Sequence, residues 1–296
     1  MSLGTRCYQK TIFPREILTP FPSLCRAELR RCCNASSSLV LTKENAPLGS
    51  SIIFDGNKNR KFFLNKCTSD YTHYGHCAVV GNGGILRNSH CGHEIDQADL
   101  VSLYPPLHGE PPCSSKKFLR PKGSSTLVNV LSLVVLSFCS SCRFKNLQAR
   151  RKPFADALRP YRDALFLIPA FSFVGHSTLS YRALYTMEDF GWPQQMFFLN
   201  PHYLATLSNH WKEKGFHPQR LSSGFMFVNV ALEFCERITL YGFWPFAHDL
   251  DDQPIPHHYY DNMLPKAGIH AMPSEFSHYL SMYAQGVLQL QLGKCQ

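Results

Sequence analysis

The stretch Cys77-Ala78-Val79-Val80-Gly81-Asn82-Gly83-Gly84-Ile85-Leu86 decides the fold. A short apolar run rich in β-branched residues that breaks into a glycine-rich turn reads as a buried parallel strand leading into a helix N-terminus. Backbone N–H groups and the positive end of a helix dipole converge at such a turn, and glycine lets an anionic ligand approach the backbone closely. Phosphate recognition is one reading of this turn, and a turn with no ligand is the other. A dinucleotide fingerprint is not met, because from Gly81 the G-x-G-x-x-G spacing holds at Gly83 but places Leu86 last.

Outward from that strand, Ile85–Ala98 predicts a helix, weakened by Gly92. Leu165–Pro169 and Met196–Leu199 are short apolar runs with strand character, and Tyr181–Phe190 between them reads as helical. Tyr203–Lys214 predicts a further helix, ended by Gly215 in the usual C-cap position. Phe225, Val228, Leu232 and Cys235 share one face at helical spacing, so this run reads as a helix packed on the core, followed by a strand over Ile238–Gly242. The most apolar run, Leu127–Cys139, is shorter than the ~18 residues of a membrane-spanning helix and reads as a buried strand or helix. Alternating strands and helices predict a single Rossmann-like α/β domain, with a mostly parallel central sheet flanked by helices and ligands at the carboxyl ends of its strands. Tyr104–Gly123, rich in Pro, Ser and Lys, reads as a long loop. Residues 1–76 mix Cys, Pro, Ser and charge without sustained periodicity and read as a stem or loosely ordered region, with the fold beginning at Cys77 and running over residues 77–296.

The chain of 296 residues has 44% hydrophobic and 17% charged residues, a globular composition. A formal charge of +9 points to an anionic partner such as a nucleotide, an acidic sugar or a membrane surface. Nucleic acid is not expected, because the basic residues are dispersed and form no run interleaved with aromatics. Twelve cysteines favour a disulfide-forming, secretory compartment, and Cys77, Cys91, Cys235 and Cys295 lie too far apart in sequence for a compact zinc site. The sequon Asn34-Ala35-Ser36 agrees, with Asn34 as the glycosylation acceptor. Cys139-Ser140-Ser141-Cys142 has metal or redox spacing but lacks a second pair. No signal peptide or full membrane span is visible, so an anchor is expected outside this chain.

Four further stretches carry chemistry. Ser222-Ser223-Gly224 precedes the helix at Phe225 and offers hydroxyls for capping or for phosphate and ribose contacts. His257-His258-Tyr259-Tyr260-Asp261 sets imidazole, phenol and carboxylate side by side. His270 and Glu275 lie close together across Pro273, an arrangement in which a carboxylate orients an imidazole as general base. Asp249-Leu250-Asp251 has the spacing of a metal–nucleotide site, with a solvated polar loop as the alternative.

Cys77–Asp99, Arg220–Phe246, His257–Asn262 and His270–Glu275 resemble, in order and separation, the large, small, third and very small sialyl motifs of animal sialyltransferases. Gly242-Phe243-Trp244-Pro245-Phe246, His257–Asn262 and Gly293-Lys294-Cys295 are most similar to the α-2,8 branch of that family. The resemblance implies a variant GT-A fold stapled by two disulfides, Cys77 to Cys235 and Cys91 to Cys295. It implies a CMP-sialic acid donor held by Asn82, Ser222, Ser223, Gly224 and Trp244, with His258 at the donor phosphate and His270, with Glu275, as catalytic base. It further implies a sialylated glycoprotein or glycolipid acceptor, an inverting displacement with no metal and no other cofactor, and a lumenal catalytic domain at the Golgi membrane. The span Val101–Cys142 departs from the family pattern: Ala98–Pro106 lacks an Arg-Cys-Asn, and Leu127–Ser141 lacks an Asn-Pro-Ser. That departure implies weakened CMP binding and supports the alternative of a catalytically inactive homologue that binds sialylated glycans or partners an active sialyltransferase.

Overall fold

The computed structural model describes residues 21–47, 49, 51–53, 59–61, 74–103, 131–135, 147–159, 164–171, 174–191, 195–259 and 270–295. Helices α1 (Phe21–Cys32) and α2 (Ala35–Ser38) come first, then an antiparallel pair, β1 (Ser51–Ile53) and β2 (Asn59–Lys61). The main sheet begins with β3 (Tyr74–Val80), followed by α3 (Gly92–Ile95), β4 (Leu100–Leu103), β5 (Leu131–Val135), α4 (Arg151–Leu158), β6 (Leu165–Ile168), α5 (Val174–Asp189) and β7 (Gln195–Phe198). It is completed by α6 (Pro201–Glu213), α7 (Ser223–Phe234), β8 (Cys235–Tyr241), α8 (Met272–Ala284) and β9 (Gln289–Gln291).

The seven strands lie in the order β7-β6-β5-β4-β3-β8-β9, and every neighbouring pair is parallel. From β3 the chain winds outward to β7 and then returns, so that β8 pairs on the other side of β3, with Val80 opposite Tyr241. The reversal between β3 and β8 opens a crevice at their carboxyl ends, the place where doubly wound sheets take ligands. The apolar run Leu127–Cys139 contributes β5, a strand. Among the described residues no helix is long and apolar enough to cross a membrane.

Three features differ from the sequence reading. The helix expected over Ile85–Ala98 is broken into a 3-10 turn at Gly84–Leu86 and the four-residue α3, because Asn88 and His90 adopt left-handed backbone with φ of 60° and 58°. Helix α7 does not present one apolar face; Phe225 through Glu233 are all buried, so it runs through the core between the sheet and its neighbouring helices. Its buried Asn229 is satisfied at both ends, accepting from Trp211 Nε1 at 3.0 Å and donating to the Phe225 carbonyl at 2.7 Å.

The third difference concerns residues ahead of Cys77, read as a stem. Leu29, Cys33, Ala35, Leu39 and Val40 are buried in the same core as α7. Polar contacts fix the docking: Arg30 Nη2 donates to the Glu233 carbonyl at 2.8 Å, Arg26 donates to the Glu236 carbonyl, and Lys214 pairs with Glu28 at 2.7 Å. The guanidinium of Arg30 thus meets the carbonyl end of α7, where a cation is favoured. Glu233 Oε2 in turn accepts from the Ala35 N–H at 2.8 Å. The adjacent Asn34, the sequon residue, is exposed in left-handed backbone with φ of 45°.

Disulfides link Cys77 to Cys235 and Cys91 to Cys295, and a third joins the neighbours Cys32 and Cys33. The first ties β3 to the junction of α7 and β8. The second fastens the end of the chain beside α3, where Cys295 N also donates to the Ser89 carbonyl at 2.8 Å. Tyr104–Gly123 and Cys139-Ser140-Ser141-Cys142 lie outside the described residues.

Candidate active site

The carboxyl ends of β3 and β8 are sewn together by their own backbones. Gly81 N donates to the Tyr241 carbonyl at 2.7 Å and Gly83 N to the Gly242 carbonyl at 2.9 Å. These donors are therefore engaged, and the 3-10 turn that follows is too short to present a helix dipole. The glycine-rich turn is a place of close backbone approach rather than a phosphate cradle. A Cβ on Gly83 would sit 2.5 Å from the Gly242 carbonyl oxygen, and one on Gly84 would sit 1.9 Å from that of Pro256.

The other chemistry-bearing stretches converge on this seam. Gly83 forms an antiparallel bridge with His258, and Tyr259 N donates to the Asn82 carbonyl at 3.0 Å. Arg220 forms a parallel bridge with His270. Segments far apart in sequence, Asn82 and Gly83 with His258 and Tyr259, and Arg220 with His270, thus meet through main-chain contacts. Asn82 Oδ1 is buried and has no partner among the described residues, as a side chain awaiting a ligand donor would be.

Ser222 is the N-cap of α7. Its Oγ accepts from Phe225 N at 3.0 Å while donating to Glu275 Oε2 at 2.5 Å, and its N–H donates to Glu275 Oε1 at 2.7 Å. Ser222 is therefore held as a cap, and the groups that α7 offers the crevice are those of Ser223 and Gly224, whose N–H groups have no intrahelical acceptor. Gly224 is needed where it stands, because a Cβ there would lie 2.9 Å from the Phe243 ring.

The pairing of Glu275 with His270 read from the sequence is corrected by this geometry. Glu275 is 1% exposed and gives both oxygens to Ser222. Burial raises its pKa, opposed by the two hydrogen bonds from Ser222 and by the nearby His270. His270 is exposed, and its Nδ1 lies 3.2 Å from the Arg220 carbonyl. A carbonyl only accepts, so the contact requires a proton on Nδ1 and leaves Nε2 of the neutral ring as a free lone pair. The backbone of Arg220 does for His270 what the sequence assigned to Glu275.

Trp244 Nε1 donates to the His248 carbonyl at 2.7 Å, so its indole presents ring surface rather than a donor. The ring stands edge-on to Phe276 of α8, with centroids 5.4 Å apart. The rings of His257 and His258 are 4.2 Å apart; Tyr260, Asp261 and Asn262 lie outside the described residues. Asp249 Oδ1 accepts from the backbone N–H groups of Asp251 at 3.0 Å and Gln253 at 2.8 Å, which commits it to closing a turn. Two functional links were not visible in the sequence, Glu275 to Ser222 and Arg220 to His270. Both join positions about fifty residues apart, and no local pattern encodes either.

Comparison with known proteins agrees with these motifs. The family model for glycosyltransferase family 29 (sialyltransferase) matches residues 40–287. An alpha-N-acetylneuraminide alpha-2,8-sialyltransferase of Xenopus tropicalis is 41% identical over 283 residues, covering 92% of this chain and 78% of the relative. Alpha-2,8-sialyltransferase 8F of Mus musculus is 38% identical, covering 92% of this chain and 68% of the relative. The crystal structure of a mammalian sialyltransferase superposes with a TM-score of 0.48 at 16% identity, covering 98% of this chain and 84% of that one.

Proposed function

The chain belongs to glycosyltransferase family 29, the sialyltransferases, and we propose that it transfers sialic acid from CMP-sialic acid to the terminal sialic acid of a glycoprotein or glycolipid glycan in α-2,8 linkage. The observation that carries the reading is the exposed His270 ring, whose Nδ1 lies 3.2 Å from the carbonyl of Arg220, two residues before the N-cap of α7.

In this reading His270 Nε2 takes the proton of the acceptor's 8-hydroxyl. The oxygen attacks the anomeric carbon as the bond to the CMP phosphate oxygen breaks, which inverts that carbon. The charge growing on the departing phosphate is met by His258 and by the N–H groups of Ser223 and Gly224 at the positive end of α7. Asn82 binds the nucleotide through its side chain, and the Trp244 ring walls the donor side. No divalent cation takes part, a reading supported by the turn-closing role of Asp249. We place the reaction in the Golgi lumen. The two long-range disulfides and the exposed Asn34 support an oxidising compartment.

The test is transfer from CMP-sialic acid to a sialyl-terminated acceptor in the presence of chelator, with the product linkage identified. An α-2,8 product at an unchanged rate is expected; loss of the rate in chelator, restored by manganese, would overturn the metal-free mechanism. The divergent span Val101–Cys142 favours a second reading, an inactive homologue. Its strands β4 and β5 nonetheless take their places in the sheet beside β3. Calorimetric CMP binding to this chain, and to a chimera carrying an active relative's segment there, separates the two, because equal affinities would remove the support for an inactive homologue.

A further inference from the structure

The residues assigned so far account for the donor, the base and the departing phosphate but give no place to the sugars that precede the acceptor's terminal residue. On one flank of α8 lies a cleft of about 410 Å³, walled by Phe216, His217 and Pro218 from the turn after α6 and by Ser274, Ser277 and His278 from α8. Ala271, which also lines it, follows the candidate base directly. Pro218 lies two residues before Arg220, whose carbonyl holds the His270 ring. At helical spacing Glu275 and Phe276 occupy one arc of α8, facing Ser222 and Trp244, while Ser274, Ser277 and His278 occupy another. The cleft and the donor side therefore flank the same helix end from different directions, and His270 stands two residues before that end.

The chemistry of the walls fits a neutral saccharide. Ser277 Oγ, which donates to the Pro273 carbonyl at 3.1 Å, keeps its acceptor lone pairs, Ser274 and the imidazoles add polar groups, and the His278 ring, edge-on to Phe216 at 4.3 Å, adds apolar surface for a sugar face. Burial holds His278 below the ordinary histidine pKa, so it is uncharged near neutrality. The described residues lining the cleft include no Asp, Glu, Lys or Arg, so it is poorly suited to the acidic donor. We infer that this cleft is the subsite for the hexose next to the acceptor's terminal sialic acid, an inference that rests on the transfer reading above.

The experiment compares two acceptors, a sialyl-lactoside and a methyl sialoside that lacks the inner sugars, on wild-type protein, Ser277→Trp and His217→Ala. Ser277 is exposed, so its replacement fills the cleft without burying the new ring in the core. Wild type should favour the sialyl-lactoside. Ser277→Trp should lower kcat/KM on it at least tenfold, leaving the methyl sialoside and the donor KM within about twofold, and His217→Ala should cause a smaller loss of the same kind. Equal effects on both acceptors, or none on either, would overturn the assignment. No transfer from the wild-type chain to either acceptor would count against the transfer reading instead. The cleft is then judged by ligand-observed NMR, where contact at the inner hexose of the sialyl-lactoside must appear with wild type and vanish in Ser277→Trp.

Discussion

Glu275 grips Ser222 with both carboxylate oxygens, one on the backbone N–H at 2.7 Å and one on the hydroxyl at 2.5 Å. The pair joins the start of α8 to the start of α7, so that the N-terminus of α7 and the segment that follows His270 are fixed relative to each other by one buried contact. Under the proposed transfer Glu275 acts on the site through Ser222, as a positioning residue.

Glu275→Ala should therefore destabilise the fold as well as slow the reaction. Two buried donors lose their acceptor, at about 1–3 kcal/mol each. Denaturant titration should show a loss on the order of 2–6 kcal/mol, with the donor KM rising. Unchanged stability combined with a large fall in turnover would return Glu275 to the role of orienting His270.

A buried carboxyl elsewhere makes stability depend on pH. Burial raises the Glu233 pKa to about 7 from an ordinary 4.5, against the lowering effect of its bond from Ala35. The unfolded chain then releases the proton above pH 4.5 while the folded protein keeps it until about pH 7, so the contribution of this group to stability falls as pH rises through that window. The gap corresponds to on the order of 3 kcal/mol. Glu233→Gln, which keeps a carbonyl for the Ala35 N–H, should be more stable than wild type at pH 8 and closely matched at pH 4.5. Parallel melting curves for the two proteins across that range would contradict this.

The Cys77–Cys235 disulfide closes a sequence separation of 158 residues, and both partners are buried. A loop of that length gives roughly 4–5 kcal/mol in the chain-entropy model. Cys235→Ser should accordingly reduce secreted yield and lower the unfolding midpoint. A variant that melts with wild type would show that the crosslink adds little to a sheet already fixed by β3 and β8.

What the sequence discloses is local. The apolar runs at Cys77, Leu165, Met196 and Ile238 become strands, and the helix over Tyr203–Lys214 stops where Gly215 takes φ of +86°. Helix α1 and the residue after it carry a legible apolar spacing in Cys25, Leu29 and Cys33, but the arginines between them mask it; Arg30 is held at the end of α7 and Arg26 at the start of β8. The break in the expected helix after Gly84 depends on left-handed Asn88 and His90, a conformation those residues permit without announcing. Gly81 and Gly83 look like a ligand turn because the carbonyls that require them belong to β8 and its extension, some 160 residues downstream. The pairings Cys77–Cys235 and Cys91–Cys295 follow from family resemblance alone, since twelve cysteines leave many alternatives, and the third, Cys32–Cys33, has no signal in the sequence reading.

The central claim, that His270 is the base of a sialyl transfer from CMP-sialic acid, is tested most directly by comparing His270→Ala with wild type in a turnover assay, with folding monitored in parallel. His270 is exposed and its side chain makes one hydrogen bond among the described residues, to the Arg220 carbonyl, so stability should hardly change. Turnover should fall by roughly 10²–10⁴-fold, the contribution of a general base. Near-wild-type turnover in a folded His270→Ala protein would contradict the account.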